Sequence, residues 1–377
     1  MESFRLLFLF NKTVGYGAYT FRHEAARKEE RVTVPIWSRS GLVLLVLHSA
    51  IYGYLAARNF YAPYVETGST LMNVTGLVIL QVGYVSMLGA LVLRLARRSL
   101  LGTILQRLRW IDFQMAALGV PIDHGGERRL LVVLMIICLI FVAIATFGAL
   151  LLLGSLRDTF TIYSGKVYMS FSAAVLATNA FALIFVLYRR ICFLEDSLRK
   201  DLNFPALEKE REQPHHYHSS QILHTRISSM ALIYGDLYEL SGTISKLISA
   251  EIIIYCTIVL IYGILSLFAI YRAILTGRYS IIANCGMHVI WWVEYCIAVL
   301  LILTYGNNIL LGSEAVLSLL GAAITYQADE KVVIKIRALM LQMKHNPLKI
   351  TTWFYDVNLV IIATMATFVF VMIQFDV

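Results

Sequence analysis

The chain has 377 residues, of which 59% are hydrophobic and 15% charged, with a formal net charge of +8. Soluble chains are about 45–50% apolar with glycine counted and about 25% charged, so this chain carries more apolar surface than one soluble domain can bury. Composition excludes disorder, collagen and coiled-coil rods, and five Cys in 377 residues exclude a small disulfide scaffold.

What remains is an all-α, polytopic membrane protein. A helix rises 1.5 Å per residue, so about 20 apolar residues cross a hydrocarbon layer about 30 Å thick. Seven such runs occur, at 40–57, 71–93, 130–154, 167–188, 251–271, 281–311 and 353–375. They are long and do not alternate, unlike β-barrel strands. The apolar stretch 6–10 is too short for a signal peptide and is followed by Asn11 and Lys12. The chain is therefore expected to insert through its first span.

Lys and Arg are distributed unevenly between the segments that join these runs. Alternate segments hold 27 and 5 of the 32. Positive charge marks the cytoplasmic side. The expectation is a cytoplasmic N-terminus and, after seven spans, an extracellular C-terminus. That topology is the inverse of a G-protein-coupled receptor. Asn346-Pro347 also precedes the last span instead of ending it.

The expected organisation follows. Residues 1–39 form a cytoplasmic arm and 40–188 carry spans one to four. Residues 189–250 form a cytoplasmic helical segment. Spans five and six occupy 251–311, a cytoplasmic helix lies in 312–352, and the last span lies in 353–377. The outer loops are short, so a ligand from outside must bind within the bundle. Asn11 and Asn73 head glycosylation sequons, but neither is expected outside the membrane.

Within the third cytoplasmic segment, Leu223, Ile227, Met230, Tyr234, Leu237, Ser241, Ile244 and Ile248 repeat at alternating spacings of four and three. That period of 3.5 predicts a packed helical seam. A helix over 222–271 would be about 75 Å long and would project into the cytosol. Two readings stand: local packing among cytoplasmic helices, or a platform that holds subunits together.

In the sixth span, Trp291-Trp292-Val293-Glu294-Tyr295 sets an acid among aromatics. A charge at the bilayer centre costs roughly 2.5–3.5 kcal/mol on insertion scales. Glu294 must then face a wet cavity or a partner. As a ligand-site residue beside Trp291, Trp292 or Tyr295, it suits amines through charge pairing and cation–π contact. As a structural residue, it bonds to neighbouring helices. Asn73, Gln81, Tyr84 and Tyr168 are further pocket candidates.

In the last span, Val357, Val360, Thr364, Thr367, Val371 and Gln374 fall on one helical face. Either the Thr side chains bond back to their own helix, or the stripe lines a water path. A hydrophobic ring near the outer end would gate by dewetting. Since each chain supplies one such helix, a pore needs several subunits around an axis.

The end of the chain, Thr367-Phe368-Val369-Phe370-Val371-Met372-Ile373-Gln374-Phe375, resembles the C-terminal motif of the insect gustatory receptors and their odorant-receptor relatives. That motif is Thr-Tyr, five hydrophobic residues and Gln-Phe; only Phe368 departs from it. The stretch 338–351, Asp356 and the region 232–262 are similar to the same family. The resemblance implies a ligand-gated, poorly selective cation channel of four subunits, homomeric or heteromeric. The subunits would be joined through cytoplasmic helix ends, in the plasma membrane of a sensory neuron. It implies that Thr364, Thr367, Val371, Gln374 and Phe375 lie along the pore, with Val371 and Gln374 at its outer constriction. It also implies a small-molecule tastant bound among spans one to six. Val369 stands where sugar receptors of the family often have Glu, which points to bitter or other non-sugar tastants.

No cofactor or metal is expected. His215-His216-Tyr217-His218 lacks partner ligands at metal-site spacing. Anionic lipid should attract the basic inner face, and nucleic acid is not an expected partner. No Walker loop, His-Glu-x-x-His or Gly-x-Ser-x-Gly suggests an enzyme. The competing class is a secondary transporter of small organic solutes; internal repeats and broken spans, its usual marks, are missing here. The orientation has a direct test. An epitope appended after Val377 is expected to label on intact cells, and labelling only after permeabilisation would reverse the assignment.

Overall fold

The computed structural model describes residues 11–12, 15–16, 19–26, 30–61, 70–119, 122–153, 156–202, 217–276, 279–326, 329–352, 356–357 and 367. In chain order these form β1 (Tyr19–Ala26), β2 (Glu30–Trp37), α1 (Arg39–Tyr61), α2 (Thr70–Ala96), α3 (Arg98–Ala117) and α4 (His124–Leu153). There follow α5 (Leu156–Asp201), α6 (Tyr217–Thr276), α7 (Tyr279–Tyr326) and α8 (Glu330–His345). Six of the seven expected spans coincide with helices α1, α2, α4, α5, α6 and α7. The seventh lies outside the described residues, except Asp356 and Val357, which are not helical, and Thr367, which is. Among the described residues, five helices are long and apolar enough to cross a membrane, and 81–96 is a shorter apolar stretch.

The helical expectation needs one addition. β1 and β2 pair antiparallel from Tyr19↔Trp37 to Ala26↔Glu30. The signal was present in the run Arg31-Val32-Thr33-Val34, whose β-branched residues favour strands. Past the hairpin, Ser38 starts α1: its hydroxyl accepts from Gly41 N–H at 3.3 Å. The N-terminal arm also reaches the bundle. Asn11 is buried and its amide donates to Asn179 Oδ1 of α5 at 2.7 Å. Tyr16 is buried and donates to Met87 Sδ of α2 at 3.6 Å.

α2 and α3 are separated only by a turn at Arg97. α3 ends where Gly119 takes φ +79, a left-handed conformation that favours glycine. Asp123 then opens α4, accepting from Gly125 N–H at 2.9 Å and Gly126 N–H at 3.0 Å. Those two donors hold its carboxyl below the usual carboxylate range.

α5 is the central helix. It packs on α4, α6 and α7. In its most apolar window 89% of residues are buried, against 6% in α4. α4 therefore presents its apolar surface outward, where lipid would meet it.

α6 is one helix of 60 residues, about 90 Å long at 1.5 Å per residue. The eight seam positions from Leu223 to Ile248 are all buried. So are Ile233, Leu240 and Leu247, which widen the stripe. This face meets α7 and α8. Tyr234 donates to Asn346 O at 2.9 Å, and its hydroxyl lies 3.2 Å from Ser313 Oγ. α8 is capped by Asp329, which accepts from Lys331 N–H at 2.9 Å, and Lys344 and His345 close its last turn.

Three helices are tied by one guanidinium. Arg190 of α5 grips Asp112 of α3 through Nε at 3.0 Å and Nη2 at 3.2 Å, and also donates to Glu127 of α4. Arg190 and Glu127 side chains are 2% and 1% exposed. His124 approaches both acids, at 3.8 Å from Asp112 and 3.5 Å from Glu127. Arg190→Ala would strand a buried carboxylate, a change that costs about 3–5 kcal/mol. A marked fall in the melting temperature of the detergent-purified protein is expected. Combining Arg190→Met with Asp112→Asn and Glu127→Gln should recover most of it.

Candidate functional site

Four helices border a half-open cavity of about 70 Å³. α4 contributes Cys138 and Phe141, and α5 contributes Ala174, Ala177, Thr178 and Phe181. α6 contributes Tyr255; α7 contributes Glu294 and Tyr295. The α5 positions recur every three or four residues, so they share a helical face. The walls are apolar except for one acid, two tyrosines, a threonine and a thiol.

Glu294 is 8% exposed. Its Oε2 accepts from Ser170 Oγ of α5 at 2.5 Å. Its Oε1 is buried and has no hydrogen-bond partner among the described residues. The side chain thus satisfies both sequence readings: one oxygen bonds to a neighbouring helix, and the residue lines a cavity. A buried polar atom without a partner costs free energy, and a polar guest or ordered water would relieve it. Tyr255 and Tyr295 meet edge to face with ring centroids 6.2 Å apart.

The remaining expected pocket residues are divided among other places. Trp291 is buried behind Glu294 and Tyr295, and Lys166 Nζ of α5 lies 5.5 Å from its ring centroid. Trp292 turns to α6, donating Nε1–H to Val259 O at 3.0 Å. The close approach of these helices depends on Gly263, where a Cβ would lie 2.8 Å from Trp292 Nε1. The adjacent Trp residues do point in different directions.

Tyr84 and Tyr168 belong to a second aromatic cluster between α1, α2 and α5. Tyr52 stands at its centre, 5.0 Å from Tyr168 and 6.4 Å from Tyr84 by ring centroids. His48 stacks on Tyr168 at 5.7 Å and hydrogen-bonds its hydroxyl through Nδ1. Gln81 donates to Ala56 O at 2.8 Å and so fastens α2 to α1. Asn73 lies on α2, but its side chain is outside the described residues. Thr364, Val371, Gln374 and Phe375 also lie outside them.

Sequence reasoning missed the α4 and α5 walls and Ser170. Only Thr178 and Ser170 carried a polar signal, spaced eight residues apart on one face of α5. The small Ala174 and Ala177 that leave the space open have no signature of their own.

The match to known proteins decides the family. A family model for the 7tm chemosensory receptors matches residues 4–377. The chain belongs to that family. The fold of this chemosensory receptor is also that of solved structures. The insect olfactory receptor OR5 from Machilis hrabei aligns with a TM-score of 0.67 at 12% identity, over 99% of this chain and 98% of that one. The same receptor in complex with eugenol aligns with a TM-score of 0.65 at 11% identity, over 98% and 96%. No curated protein matches the chain. Membership in the family and the membrane-length helices make the receptor a multipass membrane protein.

Glu294→Gln keeps an acceptor for Ser170 and removes the buried charge. The receptor is expected to fold with an unchanged or higher melting temperature, because a carboxylate in the span is costly. A fall in melting temperature comparable to that of Arg190→Ala would show that the charge itself is structural.

Proposed function

We propose that this chemosensory receptor is one subunit of a ligand-gated, poorly selective cation channel in the plasma membrane of a sensory neuron. Its ligand is a small tastant of the bitter or otherwise non-sugar class, and it acts as a receptor, not an enzyme. The observation that carries the reading is the cavity between α4, α5, α6 and α7, into which a single acid and two tyrosines are set. At about 70 Å³ the cavity holds one or two waters. Drug-sized ligands occupy sites of roughly 300–1,000 Å³. A larger ligand would push its walls apart as well as fill its open side, and the walls are the spans themselves. Expansion against α6 is the coupling step. α6 continues unbroken into the cytoplasmic helices, where α8 leads to the last span.

The olfactory receptor of similar fold has been solved with eugenol, a small aromatic molecule. That supports a small organic ligand for this chain. The acid favours an amine or other cation, held against Tyr295 and Tyr255. Four chains would surround the pore, each giving its seventh helix, with Val371 and Gln374 at the outer narrowing. The motif Thr367 to Phe375 supports that assignment.

Electrophysiology tests it. The receptor, expressed alone or with related subunits, should give a tastant-evoked inward cation current. Val371→Ala or Gln374→Ala should change ion permeation without abolishing surface expression. Saturable solute uptake without channel-sized current would instead indicate a transporter.

A further inference from the structure

A second opening lies at the other end of the bundle and has no role in tastant binding. It is a groove of about 720 Å³, open on one side, between α3, α6 and the segment 345–351. Four basic side chains border it: Arg107, Lys246, His345 and Lys349. Two of them are engaged. Arg107 pairs with Glu239 across the groove wall, and Lys349 Nζ lies 3.0 Å from Asp356 Oδ2. Lys246 and His345 have no carboxylate partner among the described residues, and both are exposed. His345 closes α8, where a cation is favoured by the helix dipole. Lys246 sits mid-helix in α6, where the dipole explains nothing. The hydroxyl of Thr351 lies on the same walls, while that of Thr243 donates back to Glu239 O at 2.8 Å.

The depth of the groove narrows the ligand. Just above it, Arg94 of α2 and Glu251 of α6 form a buried pair, Arg94 Nη2 donating to Glu251 Oε2 at 2.8 Å. Glu251 also begins the apolar run of its span. Lys246 is five residues before it in α6, about 7.5 Å at 1.5 Å per residue. The polar layer of a bilayer extends about 5–8 Å beyond the hydrocarbon on each side. The Lys246 end of the groove thus lies at headgroup depth, on the side that the Lys and Arg distribution marks as cytoplasmic, and the rest of the groove continues away from the bilayer.

We propose that this groove binds a multiply charged phosphate group carried on an anionic membrane lipid. Lys246 and His345 take the phosphates, and Arg107, Lys349 and Thr351 complete the donor set. Phosphate oxygens accept several charge-assisted hydrogen bonds at once, which matches donors converging from three chain segments. A bound headgroup would tie α6 to the segment leading into the last span, so the lipid would set how readily that span moves.

The test uses the purified full-length receptor in detergent and needs no channel activity. The probe is a fluorescent short-chain phosphatidylinositol bisphosphate, read by fluorescence polarisation. Saturable binding that weakens with salt is expected. Lys246→Gln with His345→Gln should weaken it about tenfold or more. Arg128→Gln with Lys200→Gln removes a larger formal charge outside the groove, histidine counted neutral, and should leave it unchanged. Size-exclusion profiles confirm that each variant is folded. Absence of saturable binding, or equal weakening by both pairs, overturns the site. Free inositol trisphosphate binding as tightly as the lipid overturns the lipid as the carrier.

Discussion

A charge inside a membrane bundle must be paired or must face water, because hydrocarbon solvates neither ions nor open hydrogen-bonding groups. Much of the structure answers that constraint. Arg94 and Glu251 neutralise each other where α2 and α6 leave the apolar layer. Arg190 is held by Asp112 and Glu127, which fixes α3, α4 and α5 together. Glu294 is the partial exception. One oxygen bonds Ser170 and the other remains open in a cavity. Other buried oxygens, Glu127 Oε2 and Asp201 Oδ2 among them, also have no hydrogen-bond partner among the described residues, but Glu294 lines a cavity, where a polar guest can meet it.

The second constraint is continuity. α5, α6 and α7 do not stop at the edge of the apolar layer; they have 46, 60 and 48 residues. A helix cannot bend sharply without a proline, a bulge or an inserted group. A displacement at Tyr255 in the cavity therefore travels down α6 toward Tyr234, where the helix grips Ser313 and Asn346. The headgroup-depth groove sits between these two levels. Ligand and lipid would act on the same rigid element at neighbouring levels.

Part of this was legible from residues in order. The six described spans follow from hydropathy, because partition into lipid is a local property summed over about 20 residues. The seam from Leu223 to Ile248 follows from periodicity, because a helical face is fixed by the 3.6-residue turn. The hairpin near the N-terminus was passed over because its alternating strands are short beside the spans. Of the pocket candidates, Glu294 and Tyr295 line the cavity between α4, α5, α6 and α7, and Tyr84, Tyr168 and Gln81 stand in contacts among α1, α2 and α5.

The sequence by itself determined the helical membrane class, the six apolar runs that coincide with helices and the family motif in the last residues. These depend on composition, local period and short-range order. Only the tertiary structure decided which polar groups meet. Ser170 and Glu294 are 124 residues apart, and Arg94 and Glu251 are 157 apart. Whether such residues touch depends on how each helix is rotated and crossed against its neighbours. That choice is settled by side-chain packing across the whole bundle, which no local pattern records.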